Sequence, residues 1–152
     1  LFNSFQIGSW LRISGLFDYR GGHKLYNDTE RFRCRNVRCQ ALNDPTTPLD
    51  DQARSVAAGI ATTKSNAGFI EDAWFIKLRE LAFTFFLPNS MARSVGADRA
   101  TLTLAGRNLF TITDYSGIDP EVQTNQAGNF GSAAFFSQPT VRYWTARLQL
   151  TF

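Results

Sequence analysis

Reactive and titratable chemistry is thin in this 152-residue chain. It holds one His, two Cys and one Met, and charged residues make up 19% of it, below the roughly 25% of an ordinary soluble domain. No run of about eighteen apolar residues occurs, which excludes a membrane-spanning helix. The net charge is only +3, and Lys and Arg never form a continuous run, so the chain lacks the electrostatic footprint of a nucleic-acid binder. With a single histidine, His23, neither Ser14 nor Ser137 has a histidine–acid context, and nucleophilic catalysis has no players. Gly21-Gly22 is too short to cradle a phosphate and opens no helix. The expectation is a non-enzyme without a cofactor, with His23 exposed on a loop.

The same poverty bears on the cysteines. Cys34 and Cys39, with four residues between them, lack the further ligands that zinc needs. A local disulfide is the better reading, and it implies an oxidising, extracytoplasmic compartment. Asn27-Asp28-Thr29 has the form of a glycosylation acceptor, which matters only on a eukaryotic secretory route, and it is set aside.

What the chain has in quantity is aromatic residues, 14 Phe, three Trp and four Tyr, arranged with a period of two. The last ten residues place Trp144, Ala146, Leu148, Leu150 and Phe152 on one side of a strand. Tyr143, Thr145, Arg147, Gln149 and Thr151 fall on the other. A soluble domain seldom ends on an apolar strand, whereas a strand of a membrane barrel meets lipid on one face and a polar interior on the other. Mean hydropathy, −0.21, does not separate the two, because alternation averages out.

Five strands are expected, at about 1–7, 11–20, 73–87, 99–110 and 141–152. In the second, Leu11, Ile13, Gly15, Phe17 and Tyr19 share a face opposite Arg12, Ser14, Asp18 and Arg20. The third changes parity: Trp74, Ile76 and Leu78 alternate in one phase, Leu81, Phe83 and Phe85 in the other. A β-bulge at Arg79-Glu80 accounts for the switch. Short turns, 8–10 and 88–98, join strands at one end. Long polar stretches, 21–72 and 111–140, join them at the other, the first with a short helix over 52–60. Alternating short and long connections are the habit of an outer-membrane barrel, whose external loops are long. The expected fold is therefore all-β: an antiparallel transmembrane β-barrel wall with two long extracellular loops. Five strands cannot close a barrel, since the smallest have about eight, so the chain is expected to be part of a larger one.

Specific motifs agree. Asp72-Ala-Trp-Phe-Ile-Lys-Leu-Arg-Glu-Leu81 followed by Phe83-Thr-Phe-Phe-Leu-Pro88, then Leu104-Ala-Gly-Arg-Asn-Leu-Phe110, then Thr113-Asp-Tyr-Ser-Gly-Ile-Asp-Pro-Glu121 and the terminal aromatic occur in order. In this order they resemble the C-terminal portion of SusC/RagA-type TonB-linked outer-membrane proteins, a branch of the TonB-dependent receptors. The resemblance covers 70–152 well and 1–27 less distinctively. Ala82 and Phe85 depart from the family's small polar and Tyr residues. The motif residues are Gly106, Arg107, Asn108 and Leu109 in the strand, and Asp114, Tyr115, Gly117, Asp119, Pro120 and Glu121 in the loop.

The resemblance implies a barrel of about twenty-two strands that imports oligosaccharides or peptides. It also implies a plug domain absent from these residues, energy drawn from TonB through a segment not in this chain, and a SusD-like lipoprotein partner. Outer-membrane lipid and the barrel-assembly machinery complete the expected contacts, the assembly signal being Trp144, Leu148, Leu150 and Phe152. Asp114, Asp119 and Glu121 are read as loop-forming residues rather than a calcium site, because Asx turns explain Asp before Pro equally well. Arg107 should point away from lipid, where an arginine at mid-depth costs about 2–4 kcal/mol, and Glu80 is its expected partner. Two other readings stay open: a soluble β-sandwich carbohydrate-binding module, whose Trp144, Leu148 and Leu150 would pack on a second sheet, and an assembly of several copies through edge strands.

Overall fold

Alternation places the strands, and cap residues place the helices between them. The structure, a computed structural model, describes residues 1–124 and 132–152. Part of the Gly/Asn/Gln-rich stretch, 125–131, lies outside the described residues. In chain order the elements are β1 (Phe2–Ile7), β2 (Leu11–Arg20), β3 (Lys24–Asn27), α1 (Asp28–Arg35), α2 (Gln40–Asn43) and α3 (Leu49–Gly59). A 3-10 turn (Ala67–Phe69) leads to β4 (Ile70–Asp72), β5 (Phe75–Phe86), α4 (Asn89–Ser94), β6 (Arg99–Ile112), β7 (Ala133–Ala134) and β8 (Tyr143–Thr151). They form two units. One comprises Leu1–Arg20, Phe75–Ile112 and Val141–Phe152, and the other Gly21–Trp74 and Thr113–Thr140.

The first unit is a five-stranded sheet in the order β1-β2-β5-β6-β8, antiparallel throughout. The β1–β2 turn uses Gly8 at φ 55°, a left-handed conformation that glycine adopts without a Cβ penalty. The β5–β6 connection carries α4 and a second such glycine, Gly96, at φ 75°.

Register then decides the faces. Between β2 and β5 the pairing steps from Leu16↔Glu80 to Phe17↔Leu78, which leaves Arg79 as an extra residue. Between β5 and β6 it steps from Glu80↔Arg107 to Leu78↔Phe110. The bulge stands where the parity change predicts it. Its effect is to put Ile76, Leu78, Leu81, Phe83 and Phe85 on one face, beside Ile13 and Phe17 of β2 and Leu102, Leu104 and Phe110 of β6. Register continues that face through Trp144, Ala146, Leu148 and Leu150 of β8. The opposite face carries Gln6, Arg12, Ser14, Asp18, Lys77, Glu80, Thr84, Thr103, Arg107 and Arg147.

Among the described residues the apolar side of β8 is left open: Trp144 is 68% exposed, Leu148 61%, Leu150 36% and Phe152 79%. A soluble sandwich requires these side chains to be buried against a second layer, and their exposure runs against that reading. Among the described residues strands β1 and β8 each have one neighbour, so the sheet is open there.

The second unit adds structure to the two long connections expected, the first of them with one short helix. Its three-stranded sheet, β4-β3-β7, draws β3 and β4 from the first long stretch and β7 from the second, with β3 and β7 parallel. Around it stand α1, α2 and α3, so the helix expected over 52–60 is one of three and runs Leu49–Gly59. The reason is a small core of its own: Tyr26, Cys34, Cys39, Ala58, Phe69 and Ala133 cluster, and Leu25, Ala73, Tyr115 and Ala134 form another. Polar composition hides such a core because few residues build it.

Gly106 is the most crowded glycine of the sheet. It pairs with Trp144, and a Cβ there would meet the indole ring and the Leu109 side chain. Replacing Gly106 by Val is expected to destabilise the folded native polypeptide by about 1–3 kcal/mol, the usual cost of overpacking. Temperature-dependent resistance to unfolding in SDS reads this directly, and an unchanged transition would show that the ring moves aside freely.

Candidate functional site: a polar sheet face and a folded loop unit

On the sheet's polar face several charged side chains are paired. Arg79, pushed out by the bulge, donates from Nε (3.2 Å) and Nη2 (2.7 Å) to Asp18 Oδ2. Arg107 Nε donates to Glu80 Oε2 at 2.6 Å and Nη1 to the Tyr143 hydroxyl at 3.2 Å. Thr84 and Thr103 share a hydrogen bond across β5 and β6 at 3.2 Å. Arg12 bonds Gln6 at 3.1 Å and lies over the Phe86 ring, 5.3 Å from its centroid. Exposed pairs of this kind contribute only about 0–1 kcal/mol each. Their role is to hold polar side chains in place on a wet surface.

The strand motif acquires reasons. Gly106 makes room for Trp144, and Arg107 links β5 to β8 through Glu80 and Tyr143. Asn108 sits at φ 53°, a region asparagine tolerates better than most residues, and its side-chain amide donates to the Val141 carbonyl at 2.9 Å. Asn108 and Leu109 together face the bulged Arg79.

The loop motif is equally structural. Thr113 Oγ1 donates to the Trp74 carbonyl at 2.5 Å and accepts from the Tyr115 amide at 3.1 Å. The Trp74 indole donates to Asp114 at 3.0 Å. Trp74 therefore serves the loop unit, and β5 begins at Phe75, two residues later than the strand expected from residue 73. Gly117 lies against the Tyr115 ring, where a Cβ would clash. Asp119 accepts from the Glu121 amide at 3.0 Å across Pro120, an Asx turn, and from Thr140 on its other oxygen. Among the described residues the three carboxylates form no group suited to a metal. The one such group is Glu30, Cys34 and Cys39, and its two sulfurs are joined in a disulfide with Cα atoms 4.6 Å apart.

Sequence reasoning misses the hub of the loop unit. Glu71 accepts from Arg54 at 3.2 Å, from the Ser116 amide at 2.9 Å and from the Ser116 hydroxyl at 2.8 Å. Buried Asn27 reaches Ser116 at 3.0 Å and also accepts from the Glu30 amide at 3.1 Å as the N-cap of α1. The signal was present: Asn27 followed three residues later by Glu30 is a capping pattern. Burial of Asn27 also rules it out as a glycan acceptor in the folded chain. His23 is half-buried, not exposed; its ring nitrogens are shielded from solvent, and its carbonyl accepts from the Ala73 amide at 3.1 Å.

No protein-family model matches the chain. Among curated proteins it is similar to two from Formosa agariphila. It is 34% identical over 89 residues to TonB-dependent receptor P3, covering 55% of this chain and 9% of that protein. It is 29% identical over 112 residues to TonB-dependent receptor P26, covering 71% and 11%. Among solved structures it superposes on the RagAB peptide transporter with a TM-score of 0.68 and 26% identity, over 93% of this chain and 16% of that one. The RagAB peptide importer in its closed-closed state gives 0.68 at 23% identity, a likeness of fold. The chain thus spans about a tenth of the curated relatives it matches.

An antiparallel sheet with one apolar and one polar face, similar to part of an outer-membrane transporter, is the class that fold and site define. More particularly, the chain is similar to SusC/RagA-type TonB-dependent receptors.

Burial, with Glu71 nearby, raises the Tyr115 phenol above its ordinary range, and its hydroxyl has no hydrogen-bond partner among the described residues. A raised folded-state pKa means that the contribution of the neutral phenol is intact below the ordinary tyrosine value of about 10 and is lost as pH climbs through the folded value. Tyr115→Phe should therefore match the native protein at neutral pH and outlast it above about pH 10. Gly117→Ala should be destabilised by about 1–3 kcal/mol. Denaturant unfolding at pH 7 and pH 10.5 compares all three, and equal alkaline losses in native protein and Tyr115→Phe would remove the phenol from the explanation.

Proposed function

We propose that this chain is the C-terminal barrel portion of an outer-membrane importer that takes up oligosaccharides or peptides with energy supplied through TonB. The observation that carries the reading is the division of the five-stranded sheet into one exposed apolar face and one ion-paired polar face. In a closed barrel the first meets lipid and the second a water-filled lumen. Unpaired edge strands in hydrocarbon cost several kcal/mol per polar group, so β1 and β8 take neighbours from the remaining barrel strands. Similarity to proteins named receptor and transporter supports transport rather than catalysis.

In this reading the loop unit lies on the external side and meets the substrate and a SusD-like lipoprotein. TonB acts through a segment outside these residues. Trp144 and Phe152 mark the two interfacial girdles, since eight residues at about 3.3 Å each approach the apolar thickness of roughly 25 Å. Trp144, Leu148, Leu150 and Phe152 together form the strand recognised by the barrel-assembly machinery. The Cys34–Cys39 disulfide fits the oxidising exterior.

The two faces make opposite demands on one strand. Leu148→Arg in the native polypeptide should cost about 2–4 kcal/mol at mid-depth and deplete assembled protein from the outer membrane, whereas Thr145→Arg on the polar face should assemble normally. Quantifying heat-modifiable protein in membrane fractions distinguishes them, and equal tolerance of both substitutions would defeat the barrel reading. Deleting Phe152 should likewise lower the assembled fraction. Uptake of labelled peptides or oligosaccharides should cease when TonB is absent, and uptake that persists would separate this protein from TonB.

A further inference from the structure

Cys34 and Cys39 are 1% and 0% exposed, yet the four residues between them, Arg35 to Arg38, are all exposed. The bridge fixes the two ends of this segment. Backbone bonds from Val37 to the Cys34 carbonyl (2.9 Å) and from Arg38 to the Arg33 carbonyl (2.8 Å) fix its course. Val37 is held at φ 57°, a conformation β-branched residues seldom adopt. Strain of this kind persists only where the surroundings over-determine it, and it concentrates at ligand-contacting segments.

Beside the clamp stand aromatic rings. Phe32 and Phe136, 41% and 62% exposed, lie 5.9 Å apart, centroid to centroid, at 74° to each other. Phe135 packs on Phe136 at 4.6 Å and 67°. Phe136, itself at φ 46°, is anchored by donating its amide to Thr29 Oγ1 at 2.8 Å. Together Phe32, Arg33, Asn36, Arg38 and Phe136 line a cavity of about 640 Å³. Arg31 is paired with Asp28 and Arg33 with Glu30, but Arg35 and Arg38 have no ion pair among the described residues. Asn36 uses its amide nitrogen on the Phe32 carbonyl at 2.8 Å, which leaves its Oδ1 as an acceptor.

We propose that this clamped groove binds peptides that carry a carboxylate next to an apolar side chain. The carboxylate meets Arg38, in the charge-assisted geometry that guanidinium groups favour, with Arg33, held by Glu30, beside it. The apolar side chain enters among the edges of Phe32 and Phe136, and Asn36 Oδ1 accepts a peptide N–H. Rings set at 67–74° to one another make a recess for a side chain rather than the flat platform on which a sugar ring would stack. The proposal rests on the import reading above and narrows its substrate to anionic peptides.

The test uses the native receptor purified in detergent and two fluorescent eight-residue peptides, one of alternating Glu and Leu, the other of alternating Gln and Leu. The wild type should prefer the acidic peptide by about tenfold in low salt, and the preference should shrink as salt screens it. Arg38→Glu should abolish that preference without weakening the Gln peptide, Arg38→Lys should restore part of it, and Phe136→Ala should weaken both peptides. An Arg38→Glu protein that keeps the full acidic preference overturns the proposal. So does one that keeps it while losing a co-purifying lipoprotein, because the groove is then a protein interface. If the wild type binds both peptides equally and the variant matches it, the groove assignment fails and peptide import stands. If the wild type binds neither peptide but takes up oligosaccharides, the peptide arm of the import reading fails as well.

Discussion

The bulge at Arg79 is the constraint on which the sheet depends. Without the extra residue, a strand of strict period two would send Ile76 and Leu78 to one side and Leu81, Phe83 and Phe85 to the other. Both faces would then be mixed, and neither lipid nor water would suit either one. The single insertion aligns the two halves of β5 with β2 and β6. It also turns Arg79 toward Asp18, so the residue that breaks the ladder supplies a charge pair on the polar side. Asn108, left-handed on the neighbouring strand, accommodates the same irregularity from across the ladder. A one-residue defect thus organises three strands.

The loop unit is built on a different principle. It has few large apolar residues, and much of its order comes from a shared network of polar groups. Asn27 ends β3, caps α1 and reaches Ser116, while Glu71 gathers Ser116 and Arg54. Buried polar groups cost least when every one is bonded, and here the same few side chains satisfy the backbone ends of a strand, a helix and a turn. The disulfide adds a covalent tie between α1 and α2.

How far the sequence could be read follows from these two principles. Alternation is local, so strands at 11–20 and 99–110, the bulge, and the Arg107–Glu80 pair were all legible from spacing alone. The terminal strand was legible for the same reason, since Trp144 to Phe152 needs no knowledge of the rest of the chain. The Asp18–Arg79 pair was not, because a bulged residue's direction depends on the register of two neighbouring strands. Nor was the loop unit. Its three-stranded sheet joins residues from both ends of the chain, and polar networks such as Glu71–Ser116 leave no periodic trace. Parity places Trp74 in a strand, yet its indole and carbonyl are both engaged by the 113–114 turn. The loop motif was recognisable as a pattern, but its reason, a turn packed on Tyr115 and closed by Asp119, required coordinates.

The parallel pairing of β3 with β7 has a consequence for biogenesis. Thr29 and Phe136, bonded beside that pairing, are 107 positions apart in the chain. Closing so long a segment carries an entropic penalty that neighbouring contacts must offset. During synthesis the ribosome must have delivered almost everything between them before the first half of the unit meets its partner. Until then α1 and the Cys34–Cys39 loop wait on an unfinished scaffold.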